Sequence, residues 1–133
     1  MINLYKKKIR GDSSSVKVEK WLKNHGLSYN VITSNDITPA TIRKMLTLSE
    51  KGFEDIISSR KKAKKTWEKL GLNDTHFEFL STQDFMYFIS ENPCLLKSPI
   101  IFNDRYLISG YNSDEIRVFI PRNQRIVYND KII

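Results

Sequence analysis

A chain of 133 residues with a net charge of +7 is long enough for one domain with a modest core and too short for several. Its single cysteine, Cys94, excludes an internal disulfide and any two-thiol metal site within a monomer, and no apolar run approaches the roughly 20 residues that cross a bilayer. The charge favours anionic surroundings such as nucleic acid, phosphate or an acidic protein face, although a lysine-rich solvated skin has the same composition.

Ile2, Leu4 and Tyr5 predict a short buried strand, and the basic run from Lys6 to Ser15 predicts a loop. The early lysine at position 6 is not the pattern of a secretory leader, so a cytosolic location is expected. A helix is expected to start among Asp12 to Ser15, all credible caps, and to run through Val16, Val18, Trp21 and Leu22 to Gly26. Leu27 to Ile32, with Tyr29, Val31 and Ile32, reads as a second strand. Strand, helix and strand make a crossover unit, and its right-handedness calls for parallel strands.

The middle of the chain is helical. Thr38-Pro39 is a start signal, and Ile42, Met45, Leu46 and Leu48 recur on one face as far as Gly52. Ile56-Ile57 predicts a short turn, Lys61 to Leu70 a charged helix anchored by Trp67 and Leu70 and closed by Gly71, and Ser81 or Thr82 the start of a helix bearing Phe85, Met86, Phe88 and Ile89. That helix stops at Asn92-Pro93. Pro99 then leads Ile100, Ile101 and Phe102, a polar connection Asn103-Asp104-Arg105, and Tyr106, Leu107 and Ile108, which together predict a hairpin. A proline at the head of a strand removes no interior ladder bond and can lock a turn in trans or in cis. After Gly110, Asn112 or Ser113 can cap a last short helix with Ile116, Phe119 and Ile120 as its apolar stripe.

This order predicts an α/β fold: a thioredoxin/glutaredoxin-like, mixed four-stranded sheet with a helical insertion. One domain is expected over 1–133, with its sheet core over about 1–33 and 95–122 and the insertion over about 38–92.

Several pieces resemble the Spx/ArsC family, and within it the Spx-type transcriptional regulators of low-GC Gram-positive bacteria. They are Ile2-Asn3-Leu4-Tyr5, Trp21-Leu22, Gly52 after Ser49-Glu50-Lys51, Asp55-Ile56-Ile57-Ser58-Ser59-Arg60, Leu95 to Ile101, and Gly110 to Arg117 with Phe119, Pro121 and Arg122. The resemblance implies an ArsC-like fold with a reactive cysteine in the loop after the first strand, used as a nucleophile by arsenate reductases and as half of a disulfide switch by many Spx proteins. Alignment on Trp21-Leu22 puts Asp12 and Ser15 at the two redox positions, and alignment on Leu4-Tyr5 puts Arg10 and Ser13 there. Neither alignment supplies sulfur, so no catalytic residue is assigned and no enzyme activity is expected. Of the reductases' oxyanion-binding arginines, Arg60 matches one, while Ser98, preceded by Lys97, stands where another is usual.

The same resemblance implies docking on the C-terminal domain of the RNA polymerase α subunit. The family's contact glycine matches Gly52, with Ser49, Glu50 and Lys51 beside it; a plain helix stop would also want glycine here. Arg60, Lys62, Lys65 and Lys97 are candidates for contacts to promoter DNA or to an oxyanion. The run Arg60, Lys61, Lys62, Lys64 and Lys65 is otherwise a solvated helix face, and Lys6, Lys7, Lys8 and Arg10 form a second basic cluster. Trp21, Trp67, Phe85 and Phe88 are read as packing, His25 and His76 as too isolated for a metal site, and Cys94 as a small apolar filler. No cofactor, metal or membrane is expected, and the ending Asp130-Lys131-Ile132-Ile133 departs from the family's degradation tag. An oxyanion-binding descendant of the reductases and an interaction module for another protein are the alternatives.

Overall fold

The computed structural model describes residues 1–7, 13–72 and 81–121; Lys8, Arg10, Asp12, His76, Arg122 and the ending at 130–133 lie outside them. Four strands, β1 (Ile2–Tyr5), β2 (Tyr29–Ile32), β3 (Ile100–Phe102) and β4 (Leu107–Ser109), form one mixed sheet in the order β2-β1-β3-β4. β1 and β2 are parallel, as a crossover through α1 (Ser13–Asn24) requires, and both the β1–β3 and β3–β4 pairs are antiparallel.

Both faces of the sheet are covered, and side-chain alternation sorts the central strands between them. Tyr5, Ile100 and Phe102 point into one core with Ile42, Met45, Ile56, Phe85, Met86 and Ile89. Leu4 and Ile101 point the other way, against Val18 and Leu22 of α1 and Ile108, Ile116 and Phe119. The first core is built from helices inserted between β2 and β3, α2 (Pro39–Leu48) and α4 (Thr82–Glu91). Thr38 caps α2, with Pro39 in its first turn, and the Ser81 hydroxyl accepts the Asp84 amide at the head of α4. A smaller cluster of Trp67, Leu72 and Leu95 seats α3 (Lys64–Lys69).

Three expectations need correction, and the placement of Val16 is added to them. The charged helix begins at Lys64 rather than Lys61, and residues 60–63 form a turn in which the Lys62 and Ala63 amides donate to the Ser59 carbonyl. Five cations crowded into six positions repel one another at helical spacing, and the one apolar side chain among them, the small Ala63, packs on the Trp67 cluster at the point where the helix begins. Val16 projects to solvent with 64% of its surface exposed, because Ser15, Val18 and Leu22 take the buried face of α1. Cys94 is exposed rather than a filler: in the 3₁₀ turn Pro93–Leu95 it is Leu95 that goes inward. The closing helix is a 3₁₀ turn, Glu115–Phe119, entered through an Asn112 side-chain oxygen that accepts the amides of Asp114 and Glu115.

Candidate functional site

α2 ends at Leu48 because Ser49 turns back on it, its amide and hydroxyl both donating to the Leu46 carbonyl at 3.2 and 2.7 Å. One carboxylate oxygen of Asp55 then accepts the amides of Glu50 (2.8 Å) and Lys51 (2.9 Å), closing the turn from its far side. Gly52 stands at the crest with φ +72°, the left-handed region that disfavours any Cβ. A Cβ built there would meet nothing within 4 Å, so the crest faces open space. Phe53 anchors the following 3₁₀ turn, Gly52–Asp55, by setting its ring edge-on to Phe85 of α4 at 4.0 Å. Ser49, Glu50, Lys51 and Gly52 therefore form a braced, outward turn that presents backbone. Asp55 and Phe53, which brace it, were not foreseen as site residues; a carboxylate seven residues beyond the helix end at Leu48 was the available signal.

Beyond Asp55 the chain pairs with the segment before Pro99. Ile57 bridges Leu96 antiparallel, the Ser58 amide donates to Leu95 O at 2.7 Å, and the Lys97 amide donates to Ile56 O at 2.8 Å. This pairing brings Lys97 beside Ser59, Arg60 and Lys62 in a groove of about 460 Å³ whose other walls are Glu54, Ile57 and Trp67. Lys65, on α3, does not line it. Trp67 is buried and donates its indole N–H to Ser58 O at 3.1 Å, which makes it packing first and groove wall second.

Lys6 and Lys7, the described residues that follow β1, are tied down by internal contacts. Lys7 donates its amide to the Ser98 hydroxyl at 3.0 Å and its Nζ to the Cys94 carbonyl at 2.8 Å, next to the cis Ser98-Pro99 bond. Lys6 pairs with Glu19 at 2.9 Å, and the Tyr29 hydroxyl donates to the second Glu19 oxygen at 3.1 Å. Partial burial pushes the Glu19 carboxyl upward, but the Lys6 hydrogen bond and charge, with help from Tyr29 and Lys23, outweigh it and hold the group below its usual range. The second basic cluster is thus spent on internal contacts at Lys6 and Lys7. Burial raises the Tyr5 phenol, whose O–H donates to the Pro93 carbonyl at 3.1 Å. Ser15 is only 3% exposed on the inner face of α1, and the other redox position, Asp12, is outside the described residues. The Trp21 ring stacks on His25 at 4.0 Å as a packing pair, and no group of three or more metal-ligating side chains occurs among the described residues. None of the described helices is long and apolar enough to cross a membrane.

Residues 13–119 match the model of the ArsC family. The chain is 39% identical over 115 residues to the global transcriptional regulator Spx of Staphylococcus epidermidis, covering 85% of this chain and 83% of that one. It is also 39% identical over 116 residues to the Streptococcus agalactiae protein of the same name, covering 85% and 80%. A solution structure of a Staphylococcus aureus protein superposes with a TM-score of 0.70 at 20% identity, over 89% of this chain and 97% of that one. An arsenate reductase-related protein from Brucella melitensis superposes with a TM-score of 0.57 at 19% identity, over 89% and 92%. At such identities these two structures bear on the fold alone.

Proposed function

This chain belongs to the Spx/ArsC family, and from that premise we propose that it is an Spx-type transcriptional regulator which docks on the C-terminal domain of the RNA polymerase α subunit and alters promoter use. The observation that carries this reading is the open, braced crest at Gly52. A partner backbone can approach a residue without Cβ to near contact distance, and a turn already fixed in place loses little entropy on binding. The protein works in the cytoplasm, and it is not an enzyme.

Arg60, Lys62 and Lys97 lie immediately beyond that turn and suit promoter phosphates within the polymerase complex. Such contacts weaken with salt and are indifferent to base sequence. The same three cations in one groove also favour a second reading, an oxyanion-binding protein descended from the reductases. Against it, the hydroxyl of Ser98 is engaged by the Lys7 amide, so the usual position of a further arginine serves to hold Lys7.

With one cysteine in the sequence, regulation by an internal disulfide is not available to the chain. Calorimetric titration of the α C-terminal domain is expected to give the same Kd, within about 2-fold, after dithiothreitol and after diamide. Exposed Cys94 can still form adducts, but it sits in the Pro93–Leu95 turn and not in the Ser49–Gly52 turn. A loss of affinity of 10-fold or more on oxidation, equivalent to about 1.4 kcal/mol, would contradict the switch-free reading.

A further inference from the structure

Among the described residues the edge of the sheet at β4 is open, and it lies beside the Ser49–Gly52 turn. The Asn103 amide donates to Tyr106 O at 3.0 Å and the Gly110 amide to Pro99 O at 2.8 Å, and each of these pairs faces across the hairpin in the register that joins Ile101 to Ile108. The alternation of an antiparallel ladder therefore turns the backbone groups of Ile108 toward β3 and those of Leu107 and Ser109 away from it. Each of these two residues offers one N–H and one C=O outward, and among the described residues nothing hydrogen-bonds to them.

Those groups open into a slot of about 460 Å³ lined by every residue from Arg105 to Ser109. Its two walls come from opposite faces of the sheet. On one side stand Leu48, Ser49, Glu50 and Asp55, with Leu48 packed on the core beneath α2 and α4; on the other stand Glu115 and Val118, with Val118 packed on the core beneath α1. Each wall thus offers an apolar side chain beside carboxylate. In a chain of net charge +7, three of the four charged side chains around this slot are acidic, Arg105 being the exception.

We propose that β4 is a strand-addition site, and that its occupant is an extended, basic segment of a partner protein with lysine or arginine among small apolar residues. Main-chain hydrogen bonds to Leu107 and Ser109 would supply register, because only an extended chain matches the spacing of alternate residues along a strand. Successive side chains of an added strand point to opposite faces, so its cations reach Glu50 on one wall and Glu115 on the other. The edge carries neither proline nor lysine on its three residues, two of the usual devices that discourage pairing; its shortness, a third, limits an added strand to a few main-chain bonds. Strand addition at β4 does not rest on polymerase being the partner at Gly52, but Ser49, Glu50 and Asp55 are shared with that turn, so two such partners would compete for this wall.

The test uses the full chain, isotopically labelled, and a capped peptide of about seven residues in which pairs of lysines alternate with pairs of valines, so that each face of the strand carries both. Hydrogen exchange at the amides of Leu107 and Ser109 is expected to slow by ~10-fold or more at saturating peptide, with little change at the amide of Ile108, which already faces β3. The same peptide N-methylated on its pairing edge is expected to give no such protection, and Glu115→Lys to weaken binding of the unmodified peptide about 5-fold or more. Three results would overturn the proposal. They are unchanged exchange at Leu107 and Ser109, equal protection by the N-methylated peptide, and protection that grows with protein concentration in the absence of peptide, which would make a second copy of the chain the occupant.

Discussion

Gly52→Arg is expected to cut affinity for the α C-terminal domain by about 100-fold or more while the chain remains folded. The backbone at this position has φ +72°, so any L side chain incurs roughly 1–2 kcal/mol of left-handed strain. That is a fraction of the stability of a domain this size and costs no core contact, because a Cβ at Gly52 meets nothing within 4 Å. The guanidinium would extend into the space that a docked backbone must enter, and a loss of 100-fold corresponds to about 2.7 kcal/mol, within the range of an interface hot spot. Gly52→Asn separates bulk from strain, since asparagine tolerates the left-handed region and is short. It is expected to keep affinity within about 10-fold of the parent. Calorimetry on the three proteins, with circular dichroism to verify folding, checks both statements; an arginine variant that binds normally would remove Gly52 from the interface.

The second large effect is expected at Asp55, which does not itself sit on the crest. Its carboxylate accepts the Glu50 and Lys51 amides at 2.8 and 2.9 Å, and hydrogen bonds to a charged acceptor contribute about 1.5–3 kcal/mol each when sheltered. These are partly exposed, so Asp55→Ala is expected to cost about 2 kcal/mol in total and to lower Tm by roughly 6–10 °C. It should also weaken α binding about 10-fold, since a turn without its brace must be ordered on docking. Asp55→Asn retains an acceptor without the charge and should fall between the two. Thermal unfolding and calorimetry on the same samples settle the matter: a stability loss with full affinity would show that the brace serves the fold and not the site.

Most of the sheet was legible because its signals are local. The alternation of Leu4 with Tyr5 and of Ile101 with Ile100 and Phe102 places neighbours on opposite faces, and it fits a sheet covered on both sides. Thr38-Pro39 and Ser81 marked helix starts through the physics of end amides, and both lie where expected. The chain was less legible where long-range contacts override local pattern. Lysines at 61 and 62 look helical by propensity, yet mutual repulsion and the lack of an apolar anchor before Ala63 leave them in a turn. Nothing in the spacing of Ile57 and Leu96 announces that they pair, although that bridge is what sets Lys97 beside Arg60 and Lys62. Gly52 was visible as a helix stop. Its bracing by Asp55 and by the Phe53–Phe85 contact was not, because both depend on how the turn folds back on α2 and α4.

The central claim is that the Gly52 turn receives the polymerase α subunit in a protein whose sequence leaves no internal disulfide to govern it. Its most direct test follows backbone amide shifts of the labelled chain as unlabelled α C-terminal domain is added. The largest changes are predicted across Ser49 to Asp55, saturating together at one stoichiometric equivalent, with small changes along β2 and α1. Saturable binding that leaves Ser49 to Asp55 unmoved, or no binding at all, would contradict it.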